Sequence, residues 1–301
     1  MTASTLTDQE IASLAASHDI IQLGMRADEI RRSLHGVRTT FVRVATVSLE
    51  ADTVSWPPHA GEIRIVGVPT DHHTTVERVR AIAAQARGVP VSGFSLADLE
   101  RASAAEGATL RSRLEDLRAA GLDLIADAAI DTLQDGRRSI EEVNIAGLTL
   151  ARLTVSQLPS SDVAAFYKRV AALQRSVAVI RTFAPLPRRA NPAAPTTGYD
   201  DVKRVSLARL IITNVPSIQV DWSLYGPKLA QVALTVGADD VDGVSPEDDA
   251  SEGRRRAPLE EIRRNIRAAA QVPVERNGRF EILDRQAPAL DGPAEAGHPV
   301  R

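Results

Sequence analysis

The sequence contains no cysteine among its 301 residues. This absence excludes disulfides, thiolate nucleophiles, thiolate zinc sites and cysteine-ligated iron–sulfur clusters for this chain. Aromatic residues are also scarce, at 3%. Because 44% of the residues are nevertheless apolar, a sizeable core is expected, built from alanine, valine, leucine and isoleucine.

Long apolar runs and a strong charge are missing as well. No stretch approaches the roughly 18 uninterrupted apolar residues of a membrane span, and MTASTLTDQE lacks the basic start and apolar middle of a signal peptide. The formal charge of −3 provides no field that would gather nucleic acid or an anionic membrane. These absences predict a cytoplasmic protein with no membrane span and no nucleic-acid partner.

An alternation of strand-like and helix-like segments is what the sequence does contain. Thr7 and Glu10 form a capping box at the start of a first helix. From TTFVRVATV onward, about eight β-branched or aliphatic segments alternate with amphipathic ones. This rhythm predicts a (β/α)8 barrel, with an open parallel α/β sheet as the alternative.

The first βα unit of the predicted barrel is shortened. Only SLEADTVSWPPHAG separates TTFVRVATV from EIRIVGV, and it contains Pro57 and Pro58. A helical crossover between parallel strands needs about a dozen residues or more. We therefore expect no full helix here and expect TVSW to pair back on the preceding strand.

The pattern divides the chain into four parts. Residues 1–36 form a helical leader, and residues 37–250 form the barrel. Residues 251–283 form a helix and a hairpin that turns at Asn277-Gly278. The Ala/Pro/Gly-rich residues 284–301 are expected to be a disordered tail.

Three aspartates lie close together in GADDVDG, residues 237–243. A surface loop is the simplest explanation, and the ligand pattern of a calcium loop is not met. The surrounding run, 201–248, closely resembles the C-terminal part of the radical S-adenosylmethionine (SAM) enzymes of futalosine-route menaquinone synthesis. It is closer to aminofutalosine synthase than to dehypoxanthine futalosine cyclase. The matching positions are Arg209, Leu210, Asn214, Pro216, Ile218, Trp222, Gly226, Ala230, Gln231, residues 237–243, Glu247 and Asp248.

The resemblance implies a radical-SAM-type barrel, but the chain departs from the family pattern. Members carry C-x₃-C-x₂-C after the first strand, where three thiolates hold the 4Fe-4S cluster that binds and cleaves SAM. Here that loop is absent, at the place where the first βα unit is short. The glycine pair that ends the second strand is Gly67-Val68, which leaves Gly67 as the expected cofactor contact. The cluster is predicted to be absent, and reductive cleavage of SAM is excluded for this chain alone.

The resemblance also supplies candidate ligand residues. The acidic ones are expected at the C-terminal end of the last barrel strand, where barrel active sites form; they are Asp239, Asp240, Asp242 and Glu247. They either contact a ribose or base, or have a structural role in which they cap the next segment or pair with Arg209 or Arg204. Trp222 either stacks on a base or packs in the core, and Asn214 either contacts a ligand or ends a helix. No metal site is predicted at Asp71-His72-His73, where Asp71 is expected to cap a helix.

Two hypotheses for the function follow. The first is a cluster-free, non-catalytic partner or regulator of a cluster-bearing paralogue in futalosine-route menaquinone biosynthesis. The second is a binder of SAM or a related nucleoside, or a non-radical enzyme that uses the carboxylates at the barrel mouth. Whether any catalysis survives is left open at this stage.

Overall fold

A computed structural model describes residues 6–51, 53–157, 162–189, 196–250 and 255–283. The described residues form nine β-strands: β1 Arg38–Ser48, β2 Glu62–Val66, β3 Val91–Ser95, β4 Leu124–Ala129, β5 Thr149–Val155, β6 Ile180–Pro187, β7 Ser217–Asp221, β8 Asp240–Val244 and β9 Val272–Arg276. They also form ten α-helices: α1 Asp8–Ala16, α2 Ile20–His35, α3 His72–Ala86, α4 Leu96–Ala105, α5 Leu110–Ala119, α6 Gly136–Ile145, α7 Val163–Val177, α8 Gly198–Ile211, α9 Trp222–Thr235 and α10 Pro258–Ala268.

Strands β1 to β8 form a closed parallel barrel. Each strand pairs with the next along the chain, and β1 pairs with both β2 and β8, which closes the cylinder. The predicted (β/α)8 barrel is therefore confirmed, and the open sheet is wrong. The buried apolar side chains are mostly aliphatic, as the scarcity of aromatic residues requires. In barrels of this kind, the active site lies at the C-terminal ends of the strands.

The connection from β1 to β2 contains no helix or strand in its described residues, 49–51 and 53–61. The shortened first unit is confirmed, whereas the expected pairing of TVSW back onto β1 is wrong. The next strand starts at the opposite end of the barrel, so this short connection must lead the chain back along the barrel. Pro57 and Pro58 also lack the N–H group that a strand ladder needs.

Strand β9 adds a pairing with β1 to the expected C-terminal hairpin. It runs parallel to the first half of β1, with Arg38 opposite Val272 and Val42 opposite Arg276. Since β2 pairs only with the second half of β1, from Val44 onward, β9 and β2 share one edge of that long strand. After the turn at Asn277, Ile282 forms an isolated antiparallel bridge with Arg276. The segment is thus part of the barrel wall.

The N-terminal leader covers one side of the barrel. Helix α1 has the predicted capping box of Thr7 and Glu10, and α2 packs along α8. Helix α2 ends at Gly36, whose φ of 63° is a conformation that suits glycine. None of the helices in the described ranges combines the length and apolarity needed to cross a membrane. The expected tail, 284–301, lies outside the described residues.

Candidate functional site

Asp239 lies at the N-terminal end of the barrel, directly before β8. The expectation that it follows the last strand, on the face where active sites form, is therefore wrong. Its Oδ1 atom accepts hydrogen bonds from the guanidinium of Arg209 and from the Ile218 N–H, the latter at 2.9 Å. Arg209 is fully buried and also donates to the Gly237 carbonyl at 2.9 Å. Asp239 thus ties α8 to the start of β8, which was one of the two alternatives predicted for it.

Asp240 is the first residue of β8 and lies inside the barrel. Arg276 binds it with two hydrogen bonds, from Nε at 2.6 Å and from Nη2 at 2.7 Å. Gln219 Nε2 donates at 2.6 Å, and the Thr40 hydroxyl also donates. Burial alone would raise the pKa of Asp240, but the ion pair with Arg276 and these hydrogen bonds lower it. The carboxylate is therefore ionised and fully occupied.

Asp242 lies farther up the same strand and binds two arginines. Arg64 donates from Nη1 at 3.0 Å and from Nη2 at 2.9 Å, and Arg152 Nη1 forms a second ion pair. Arg64 also bonds Glu62 at 2.8 Å, and Glu62 accepts from the Ser92 hydroxyl. Burial, together with the charges of Arg64 and Arg188, lowers the pKa of Arg152 to about 9.

In these contacts, oppositely charged side chains inside the barrel pair with one another. We call this set the interior ion network: Glu62, Arg64, Arg152, Asp240, Asp242 and Arg276. The resemblance pointed to its aspartates only. Its arginines come from β2, β5 and β9, and one clue to them is visible in the sequence, because EIRIV carries Glu and Arg at every second position of a strand.

The other predicted site residues lie apart from this network. Glu247 is exposed beyond β8. Trp222 begins α9 and belongs to the core at 8% exposure, and Asn214 Nδ2 donates to the Ala171 carbonyl at 2.8 Å. Gly67 follows β2 with a φ of 128°, and a side chain there would meet Leu49 at 3.1 Å. Local packing therefore accounts for Trp222, Asn214 and Gly67, and ligand binding by all four stays a prediction.

The β1–β2 connection does not fit a 4Fe-4S cluster. A cluster of the type that the family uses needs thiolate ligands, and this connection offers hydroxyls, carboxylates, an indole at Trp56 and an imidazole at His59. Within the described ranges, no group of three or more histidine, aspartate or glutamate side chains is arranged to hold a metal ion.

His35 makes the lower end of the barrel sensitive to acid. Its Nε2 lies 3.3 Å from Asp239 Oδ2. Burial lowers the pKa of His35, and the nearby arginines Arg209 and Arg31 lower it further, against the opposing effect of Asp239. With a lowered pKa, His35 binds a proton more weakly in the folded state than in the unfolded state, whose pKa is about 6.5. Protonation therefore favours unfolding, and the free energy of unfolding decreases as the pH falls below this value.

We therefore expect His35→Gln to flatten the decline in stability between pH 7 and pH 5. Urea unfolding of both proteins at several pH values measures it, with the exposed His73→Gln as the matched control. Parallel declines in the His35 variant and the unmutated protein would contradict the assignment.

The closed parallel barrel defines the class of the protein. Its fold is a (β/α)8 barrel similar to that in the crystal structure of methylornithine synthase. The two share a TM-score of 0.65 over 90% of this chain and 95% of that one. Their sequence identity is 13%, so this likeness concerns the fold alone.

Residues 185–289 match the model of the CofH/MqnC C-terminal region. The chain is 26% identical to the 5-amino-6-(D-ribitylamino)uracil–L-tyrosine 4-hydroxyphenyl transferase of Archaeoglobus fulgidus, over 65% of this chain and 66% of that protein. It is 34% identical to the aminodeoxyfutalosine synthase of Streptomyces coelicolor, over 35% of this chain and 29% of that protein. The matched segments span less than two thirds of either relative. The resemblance predicted from residues 201–248 is confirmed.

Proposed function

We propose that this chain is a cluster-free, non-catalytic partner or regulator of a cluster-bearing relative in futalosine-route menaquinone biosynthesis. The observation that carries this proposal is the interior ion network. Its buried aspartates, Asp240 and Asp242, are neutralised by arginines of the same chain. Asp240 accepts four hydrogen bonds and Asp242 is bonded to two arginines, so neither carboxylate offers an uncompensated charge to a ligand.

The uneven retention of the family pattern supports the partner role. The matched region, 185–289, includes α8, α9 and α10 on the outside of the barrel. The β1–β2 connection, in contrast, has neither a helix in its described residues nor a thiolate. Selection on a protein interface at α8, α9 and α10 would preserve this side of the barrel even after the cluster-binding residues were lost. A nucleoside held by Asp239, Asp240 and Asp242 is less well supported, because arginines already occupy all three.

The test is association with a cluster-bearing family member from the same genome. We expect the two chains to co-purify when expressed together and to form one species in size-exclusion chromatography with light scattering. We also expect the activity of the cluster-bearing protein to change when this chain is added. Methylornithine synthase, which shares the fold at low sequence identity, is the matched control protein. No association and no change in activity would refute the proposal.

A second experiment tests the cluster-free state. After anaerobic incubation with iron, sulfide and a reductant, we expect the purified chain to retain no cluster absorbance and to cleave no SAM. The reason is the absence of the thiolate ligands that such a cluster needs. Stoichiometric iron and sulfide that persist through gel filtration would contradict it.

A further inference from the structure

A cavity of about 430 Å³ opens at the C-terminal ends of β3 to β6. It lies beside the interior ion network and is lined by different residues. Its walls include Ser95 at the end of β3, Asp127 on β4 and Arg188 just after β6. Asp98 and Arg101 pair with each other at its rim. This is the end of the barrel at which such folds bind ligands.

Two polar side chains that line this cavity make no side-chain hydrogen bond among the described residues. Ser95 occupies the N-cap position of α4, yet its hydroxyl makes no capping hydrogen bond. The Asp127 carboxylate lies close enough to Arg152 to act on its charge, but forms no hydrogen bond or close ion pair in the described ranges. Both side chains are half-buried, so a ligand in the cavity can reach them.

Ser95 and Asp127 converge on the same space. They are register partners on neighbouring strands, and both line the cavity. Register partners on parallel strands point to the same face of the sheet, which here is the face toward the cavity.

The backbone beside the cavity is strained. Phe94 precedes Ser95 and has a φ of 64°, although it is a bulky residue with 3% exposure. Such conformations are costly and concentrate at functional sites. Here the strain sets the turn from β3 directly into α4, at the point where Ser95 meets the cavity.

The charged side chains at the cavity favour a ligand that carries both a negative charge and hydroxyl groups. Arg188 bonds Asp221 through Nη2 at 3.1 Å, and its Nε and Nη1 make no other hydrogen bond within the described ranges. A guanidinium edge of this kind pairs with a carboxylate. The Asp127 carboxylate, by contrast, accepts hydrogen bonds and would repel a second negative charge. A ligand must therefore present its carboxylate to Arg188 and hydrogen-bond donors to Asp127.

We propose that this cavity binds a small hydroxylated carboxylate. Arg188 pairs with the carboxylate, and Asp127 and Ser95 bond the hydroxyls. The site goes beyond the partner role and does not depend on it, since no residue of the interior ion network is needed. Binding is measured on the chain alone, so its failure is distinct from a failure to associate with a relative.

Isothermal titration calorimetry with three matched compounds tests the site. Gluconate carries both groups, sorbitol keeps the hydroxyls without the carboxylate, and hexanoate keeps the carboxylate without the hydroxyls. We expect gluconate to bind at least about tenfold more tightly than either of the others, because each lacks one charge-assisted set of hydrogen bonds. Absence of gluconate binding, or equal binding of sorbitol or hexanoate, would overturn the proposal.

Variants locate the binding. Arg188→Gln is expected to weaken gluconate binding by about tenfold or more, whereas Arg111→Gln, at an ion pair with Glu142 outside the barrel, leaves it unchanged. Ser95→Ala separates binding from folding. Because its hydroxyl makes no capping hydrogen bond, alanine should leave the unfolding midpoint nearly unchanged, yet gluconate should bind several-fold more weakly. Unchanged affinity in both Arg188→Gln and Ser95→Ala would refute the assignment.

Discussion

Replacing Arg276 by methionine is expected to destabilise the protein by about 3–5 kcal/mol. Arg276 and Asp240 are both buried, at 2% and 0% exposure, and are joined by two hydrogen bonds of 2.6 and 2.7 Å. Methionine fills most of the space of arginine but leaves the Asp240 charge uncompensated inside the barrel. The cost of that buried charge dominates the loss.

Urea unfolding at neutral pH measures the effect. Arg137→Met is the matched control, because the ion pair of Arg137 with Glu141 is exposed, at 68% and 39%. Such pairs contribute less than about 1 kcal/mol. The double variant Arg276→Met with Asp240→Asn should recover much of the loss, since the uncompensated charge is removed. An Arg276 variant within about 1 kcal/mol of the unmutated protein would disprove the assigned role.

The same pair predicts a pH dependence. The pKa of Asp240 is lowered in the folded state despite its burial. Its contribution to stability is therefore present above the unfolded pKa of aspartate, about 3.9, and is lost as the pH falls through the folded value. Without Arg276, burial raises the pKa of Asp240 instead. The stability difference between the two proteins should therefore narrow in acid.

The barrel could be predicted because its signals are local. Strand and helix segments alternate along the chain, and helix starts carry recognisable caps. Thr7 and Glu10 form their capping box, and Asp71 accepts a hydrogen bond from the Thr74 N–H at the start of α3. The short β1–β2 connection follows from length and two prolines alone. Each of these inferences needs only neighbouring residues.

The C-terminal strand could not be predicted, because its pairing is non-local. Asn277-Gly278 is a strong local signal for the small hairpin that forms there, but the parallel pairing is made with an edge of β1 that lies more than two hundred residues away in the chain. Because β1 has 11 residues and β2 has only 5, part of that edge would stay unpaired without β9.

The site was only half visible in the sequence for a similar reason. The aspartates of GADDVDG are conspicuous, but the strand begins at Asp240 and not before Asp239. Because the strand starts a few residues later than expected, Asp239 lies at the N-terminal end of the barrel. The arginines that neutralise the aspartates come from strands spread along the chain. The polar groups at the mouth, Ser95 and Asp127, are ordinary strand residues whose convergence shows only in three dimensions.

Gly237→Ala is the second substitution expected to have a large effect, a loss of about 2–4 kcal/mol. Gly237 opens the stretch that contains the aspartates and has a φ of 118°, which a residue with a side chain rarely adopts. A methyl group there would lie 2.8 Å from the Arg209 Cβ and 3.2 Å from the Ala27 Cβ. Both neighbours belong to packed helices, so neither can move without disturbing the Arg209–Asp239 ion pair.

Gly107→Ala isolates the steric part of this effect. Gly107 also has a positive φ, of 67°, but a methyl group there meets no atom within 4 Å. Its substitution should cost only the backbone strain, about 1 kcal/mol. Thermal and urea unfolding of the two variants give the difference in their stability. That difference measures the energetic effect of the packing of α2 and α8 against the start of β8. If the two alanine variants were equally stable, the close packing around Gly237 would have no energetic role, and its conformation alone would explain the glycine.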